Sequence, residues 1–323
     1  MIRISAAPRE VQPASHPPWA RTTAATVVEV RNLTITYGTA QGPAVEDLSF
    51  SIERAETFGL VGESGSGKTT TALALLGLLK PPATVTAGGA YINGLDVTRA
   101  SADELRSVRW KQIALIPQGA MNALNPVVKI GSQIRECFRA HGARRNTRGL
   151  KPRIVGLLEG VGLPAQVYDM YPHELSGGMK QRVCIAMATA LEPDAIVADE
   201  PTSSLDVVVQ RQVIESIRKA QAALGAALLF IGHDLALQSK IVDRIGVMHR
   251  GRLVEIGPTL SVFANPAHWY TQMLFAAVPP LPGRAAPLAD ALLRHPRPVE
   301  TGSAHVKAPL QEIAPNHFAA VAT

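Results

Sequence analysis

Apolar and polar positions first alternate at Val28, Val30, Leu33 and Ile35, a strand pattern that closes at Tyr37-Gly38. A second alternating run has Val45, Leu48, Phe50 and Ile52 as its apolar members, and the pair predicts a small sheet. The pattern then changes. Thr57 to Val61, Ile113 to Ile116, Ala195 to Ala198 and Ala227 to Ile231 are short and apolar almost throughout, as strands buried on both faces are. Helical stretches lie between them. Thr69 to Leu79 is rich in Ala and Leu and is stopped by Lys80-Pro81-Pro82. Ser101 with Glu104 makes a capping box for a short helix. Val127 to about Glu174 carries Ile130, Ile134, Cys137 and Phe138 at helical spacing, and a later helix presents Val183, Met187, Ala190 and Leu191 on one face. Within residues 87–97, Gly88-Gly89 and Asn93-Gly94 give a hairpin signal. Residues 1–26, Pro-, Ala- and Ser-rich without periodicity, are expected to be a disordered N-terminal tail. Buried strands alternating with helices predict an α/β fold.

The candidate chemistry gathers where those strands end. Gly62 to Thr70 reads GESGSGKTT, with Gly62, Gly67, Lys68 and Thr69 at the positions of a phosphate-binding loop between strand and helix. Glycines let the backbone curl around an anion, and the N–H groups of Ser64, Gly65, Ser66, Gly67 and their neighbours, through Thr70, form a nest at the positive end of the helix. In that frame Lys68 reaches the β- and γ-phosphates and the Thr69 hydroxyl sits on Mg²⁺. Gln118 follows the Ile113–Ile116 strand, at the carboxyl end where open α/β sheets bind ligands. Asp199-Glu200-Pro201 follows another buried strand, and adjacent carboxylates there are costly unless a cation or a reacting group needs them. In a phosphate-loop protein the first helps hold Mg²⁺ and the second can polarise water for attack on the γ-phosphate. His233 ends the Ala227–Ile231 strand, so one sheet edge would collect all these groups. Ser176-Gly177-Gly178 at a helix start reads either as a second anion site or as an ordinary N-cap. Tyr37, at a strand end, reads either as a ring for stacking on adenine or as a rim aromatic packed on the sheet.

Composition narrows the class. A chain of 323 residues, 46% hydrophobic and 18% charged, supports a sizeable core and is not a disordered composition. The net charge of +6 allows an anionic partner. Its densest cluster, Arg144, Arg145, Arg148, Lys151 and Arg153, lacks interleaved aromatics, so a solvated face is expected rather than nucleic-acid binding. Two cysteines, Cys137 and Cys184, lie far apart in helical runs and read as buried thiols of a reduced compartment. The longest apolar run, Ala222 to Gly232, is about eleven residues, too short to span a bilayer. Any membrane role is expected to come through partners.

Over residues 27–257 the chain resembles the nucleotide-binding subunit of an ABC transporter. Tyr37, GESGSGKTT, Gln118, LSGGM with Lys180-Gln181-Arg182, Asp199-Glu200 with Ser204-Leu205-Asp206, and His233 occur in the family's order. The resemblance implies a P-loop NTPase (RecA-like) core with an antiparallel β subdomain and a helical subdomain of about residues 119–174. It implies ATP and Mg²⁺ as ligands, with Glu200 as general base, His233 on the γ-phosphate, and Thr69, Gln118 and Asp199 around the metal. Gln118 would also couple the site to a transmembrane partner. Two ATPase subunits, identical or sister chains, would pack head to tail, so that Ser176-Gly177-Gly178 of one caps the ATP held by the phosphate loop of the other, and Asp206 counts among the nucleotide-binding residues. Two permease subunits, and through them an extracytoplasmic solute-binding protein, complete the implied assembly, peripheral on the cytoplasmic face of the inner membrane.

The segment Ile116 to Pro126, the Met of LSGGM, and the run through Val254-Glu255, Gly257-Pro258, Asn265-Pro266 and His268-Trp269-Tyr270-Thr271 are similar to the dipeptide, oligopeptide and nickel importer branch. Residues 258–323 would be that branch's C-terminal extension, partly disordered. Many members of the branch hold an iron–sulfur cluster on four C-terminal cysteines. This chain has no Cys after Cys184, so no cluster is expected. A peptide importer ATPase is therefore the leading expectation, with nickel or another solute as the variant. A non-transport ABC ATPase is the alternative of another class, but Lys68 and Asp199 are only about 130 residues apart, without the heptads of a long coiled-coil insertion. A regulatory binder with a dead site is a further reading, opposed by intact Lys68, Glu200 and His233.

Overall fold

The computed structural model describes residues 17–20, 22–38, 42–119, 123–142, 149–203, 205–276 and 308–321. Strand β1 (Thr26–Tyr37) carries the first alternating pattern, and its phase slips by one residue between Val30 and Leu33. A bulge absorbs the slip. Val30 pairs with Phe50 and Leu33 with Leu48 of antiparallel β2 (Val45–Glu53), with a register shift between them, so all four stay buried. On the other side β1 pairs with β4, Ala83–Ile92. Gly88 faces the bulge with φ +67°, and a Cβ there would stand 2.1 Å from the Arg31 carbonyl oxygen. Gly88-Gly89 therefore belongs inside a strand, not at a hairpin tip. The tip is Asn93-Gly94, which turns β4 into β5 (Leu95–Asp96) and completes a four-stranded sheet.

The second sheet has eight strands among the described residues, in the order β11-β12-β10-β9-β3-β8-β7-β6. Its centre is parallel: β6 (Ile113–Ile116), β7 (Ala195–Asp199), β8 (Ala227–Ile231), β3 (Thr57–Val61) and β9 (Arg244–His249). Every residue of β3, β7 and β8 is buried, which explains runs that read as continuous apolar stretches. One core lies between the two sheets, where Phe50 and Phe58 stack with ring centroids 5.0 Å apart. The other holds the helices on the opposite face.

Helix α1 (Lys68–Leu75) is shorter than the sequence pattern predicts. Gly77, at φ +60°, ends it: Gly77 N–H donates to the Ala74 carbonyl and Leu78 N–H to that of Leu73, the paired bonds of a glycine-terminated helix. Lys80-Pro81-Pro82 lies beyond a stop already made. Helix α2 (Ala102–Val108) starts with the expected capping box. Helix α3 (Ile130–Ala140) buries Ile130, Ile134, Cys137 and Phe138 as their spacing requires, α4 (Leu150–Gly160) buries Leu150, Ile154 and Leu158, and short 3-10 turns follow. Arg144, Arg145 and Arg148 lie outside the described residues, while Lys151 and Arg153 of α4 form ion pairs with Asp169 and Glu192. Helices α5 (Gly177–Thr189) and α6 (Val207–Leu224) pack together, and α7 (Leu235–Gln238) follows β8.

Beyond β10 (Arg252–Pro258) come α8 (Thr259–Ala264), α9 (Trp269–Ala276) and the hairpin β11 (Gln311–Ala314) and β12 (His317–Ala319), which adds to the sheet against β10. Within the N-terminal segment, Trp19 packs on Phe318 at 5.2 Å, and its carbonyl accepts from the Arg244 guanidinium at 3.0 Å. One buried carboxylate ties the C-terminal elements together. Glu255 of β10, fully buried, accepts from the N–H groups of Ala267 (2.9 Å) and His268 (3.0 Å) and pairs with His317 Nε2 at 2.7 Å. Replacing such an acceptor strands several buried donors. Glu255→Ala is therefore expected to destabilise the protein by about 3 kcal/mol, read as a lowered urea midpoint with an unchanged slope.

Candidate active site

Because β3, β6, β7 and β8 run parallel as neighbours, residues after their last positions emerge on one edge. The phosphate-binding loop follows β3. Gly62 adopts φ +148°, and a Cβ there would lie 2.2 Å from the Met248 carbonyl oxygen, so this turn accepts only glycine. Ser66 and Gly67 are buried, whereas Ser64 and Gly65 stand exposed at the rim. Lys68, 6% exposed, turns its ammonium back on the loop, donating to Gly62 O (2.7 Å), Glu63 O (2.7 Å) and Ser66 Oγ (3.1 Å). The next residue reaches β7: Thr69 Oγ1 donates to Asp199 Oδ1 at 3.3 Å. Thr70 approaches the Tyr37 hydroxyl at 3.4 Å, which sets Tyr37 at the mouth of the loop's helix.

Glu200 receives two neighbours from adjoining strands. Gln118 Nε2 donates to its Oε2 at 2.8 Å, and His233 Nδ1 stands 3.7 Å from its Oε1. The Glu200 backbone sits at φ +42°, an uncommon conformation for a residue with a side chain, and its N–H donates to Ile231 O at 2.9 Å. Lys68, Thr69, Asp199, Glu200, Gln118 and His233 thus form one connected constellation. Ser176 and Asp206 are placed differently, each as an N-cap. Ser176 Oγ accepts from Met179 N–H at 3.3 Å at the start of α5, and Asp206 Oδ1 accepts from Val208 and Val209 N–H, both at 3.0 Å, at the start of α6. Ser176 is exposed and Gly178 packs under α6, where a Cβ would meet Val209 Cγ1 at 2.2 Å. Ser204 lies outside the described residues.

The ABC transporter family profile matches residues 45–203. The dipeptide transport ATP-binding protein of Escherichia coli is 42% identical over 258 residues, covering 78% of this chain and 78% of that protein. The oligopeptide transport ATP-binding protein of Bacillus subtilis is 39% identical over 260 residues, 79% of this chain and 72% of that protein. This chain belongs to the ABC transporter family. Among solved structures, a dimeric post-hydrolysis ATP-binding cassette bound to ADP and phosphate aligns with TM-score 0.64 and 25% identity, over 72% of this chain and 98% of that one. The protein is accordingly an ABC ATPase with the P-loop NTPase fold, an ATP hydrolase.

In this ABC ATPase the edge groups are electrostatically uncomfortable. Burial drives the Lys68 ammonium pKa below its ordinary value, opposed by Glu200, Asp199 and Glu63. Burial also raises the Asp199 carboxyl, helped by Glu200 and opposed by the Thr69 hydrogen bond and Lys68. A desolvated carboxylate beside a hydroxyl suits a small oxygen-seeking cation, so the residues fit Mg²⁺. The thiols of Cys137 and Cys184 are pushed up to about 11 and about 12 by burial, as inert core groups are. Sequence reasoning missed Tyr270, whose hydroxyl accepts from the Glu63 N–H at 2.9 Å inside the phosphate loop.

The raised Asp199 pKa fixes a sign. Its ionised form is disfavoured by the fold, and that cost is present above the raised pKa and fades as pH falls through it. Asp199→Asn is therefore expected to raise the melting temperature of the nucleotide-free protein at pH 7–8 while abolishing ATP turnover. Thermal melts across pH should show the gain shrinking through the carboxylate range.

Proposed function

We propose that this ABC ATPase energises the uptake of di- or oligopeptides from the cytoplasmic face of a membrane. The support is the pair of relatives named for dipeptide and oligopeptide transport, each matching more than three quarters of the chain. No helix among the described residues is long and apolar enough to cross a membrane, and permease subunits that carry the translocation path belong to this reading. An apolar groove of about 410 Å³, lined by Leu76, Trp110, Leu115, Pro117, Leu124 and Met187, supports docking of such a subunit next to Gln118. A solute-binding protein delivering the peptide belongs to the same reading.

The chemistry is assigned residue by residue. Lys68 exchanges its loop oxygens for the β- and γ-phosphates of ATP. Thr69 and Asp199, with Gln118, hold Mg²⁺, which when bound neutralises charge developing on the phosphates. Glu200 accepts the proton of the attacking water, and Gln118 keeps that carboxylate oriented. His233 donates to the γ-phosphate. Tyr37 stacks on the adenine. The exposed Ser176 turn, with Gly177, Gly178 and Asp206, closes over the nucleotide of a second ATPase subunit, which makes ATP the adhesive of the dimer.

The observation that carries this reading is the Gln118–Glu200–His233 cluster, with Glu200 directly after Asp199 and Lys68 on the same sheet edge. Glu200→Gln keeps the hydrogen-bonding shape and removes the base. Hydrolysis is expected to fall by about 100-fold or more, while MgATP binding persists and a closed dimer accumulates in size-exclusion chromatography. Wild-type turnover by Glu200→Gln would exclude Glu200 as the base.

A further inference from the structure

The Gly62–Glu63 peptide unit is bonded at both ends. Its carbonyl, Gly62 O, accepts from Lys68 Nζ at 2.7 Å, and its N–H, on Glu63, donates to the Tyr270 hydroxyl at 2.9 Å. The Glu63 side chain is exposed, while its N–H is turned inward to the buried Tyr270 hydroxyl. Tyr270 comes from α9, 207 residues along the chain, and is fully buried. Its ring lies 4.0 Å from that of His249, at the end of β9. Its helix is fixed in turn, because Glu255 accepts from Ala267 and His268 N–H just before α9 and is held by His317 of the terminal hairpin. A rigid path thus runs from β12 through Glu255 to the start of α9 and on to the loop.

From this geometry we infer that Tyr270 is a positioning residue for nucleotide binding: its hydroxyl fixes the plane of the Gly62–Glu63 peptide, through which the C-terminal helix sets the shape of the phosphate cradle. The inference rests on the ATPase reading of the loop. The physical basis is the competition at this one peptide. Rotation of its plane would take the Gly62 oxygen from Lys68 and the Glu63 N–H from Tyr270 together, leaving the ammonium and the loop backbone out of place for phosphate. Gly62, at φ +148°, leaves the backbone free to make that rotation. A hydrogen bond on the opposite end of the peptide opposes it. Burial pushes the Tyr270 phenol up to about 12, so the hydroxyl stays neutral and available throughout the working range.

Tyr270→Phe in the full-length chain keeps the ring packing and removes only the acceptor. Kd for fluorescent ADP and KM for MgATP are expected to rise about fivefold with kcat little changed, the pattern of lost uniform binding. Phe275→Leu, a buried change on the same helix far from any loop hydrogen bond, is the control: it should lower Tm and leave both constants unchanged. Amide-resolved hydrogen exchange on the nucleotide-free wild type is independent of any variant. The Glu63 amide should exchange about tenfold or more slowly than an exposed loop amide. Unchanged nucleotide constants in Tyr270→Phe, an equal shift in Phe275→Leu, or an unprotected Glu63 amide would each overturn the inference. Failure of the wild type to bind ADP or ATP would instead overturn the ATPase reading on which it rests.

Discussion

Ionised groups at the ends of buried parallel strands persist only while something nearby replaces the water they have lost. Lys68 and Asp199 are 6% and 7% exposed, and burial is the largest influence on the pKa of each. The nucleotide-free protein answers from its own atoms: loop oxygens for Lys68, the Thr69 hydroxyl for Asp199, the Gln118 carboxamide for Glu200. For Lys68 and Asp199 such substitute partners are adequate and no better, since both remain displaced from their ordinary protonation behaviour. In the proposed reading, ligand binding at this edge is an exchange of partners, in which phosphate and metal would take over bonds that the loop and its neighbours already make.

That exchange needs a backbone that stays in place while side chains change allegiance. Around the loop the backbone is pinned from outside it. Gly251 N–H donates to Ser66 O at 3.1 Å, the Met248 carbonyl closes the space beside Gly62, and Tyr270 holds the Glu63 amide. All three come from the β9–β10 hairpin and helix α9. Glu200 is held by comparable means, its unusual φ secured by the Ile231 carbonyl of β8. The strained residue carries the carboxylate proposed as the general base, and backbone strain commonly gathers at such positions.

What the chain declares in its sequence, and what it does not, follows from the range of the interactions. The parallel strands were legible because burial on both faces removes polar residues from β3, β7 and β8, and the phosphate loop was legible because its glycines, Lys68 and Thr69 are consecutive. The end of α1 was misjudged although its signal was local: Gly77 supplies the left-handed residue, and the prolines after it drew the boundary too far. Gly88 looked like turn chemistry because a glycine demanded by a bulge and one demanded by a hairpin are the same letter. The Glu63–Tyr270 bond and the Glu255–His317 pair left no pattern at all. They join residues 207 and 62 positions apart, and strands of four and three residues are too short for alternation to register.

Long-range ties of this kind also bear on how a transporter ATPase communicates. Gln118 is bonded to Glu200 on one side and adjoins Pro117, part of the apolar groove, on the other. In the proposed reading, a permease subunit seated in that groove would act on the β6 end and so on the orientation of the Glu200 carboxylate. The C-terminal helix acts on the opposite flank, through the peptide that cradles phosphate. The site is thus addressed from two sides by elements that do no chemistry. Neither needs to move far, because a hydrogen bond at 2.8 or 2.9 Å is lost within a fraction of an ångström to an ångström of displacement. Coupling over such short distances favours a switch between discrete arrangements over a graded response.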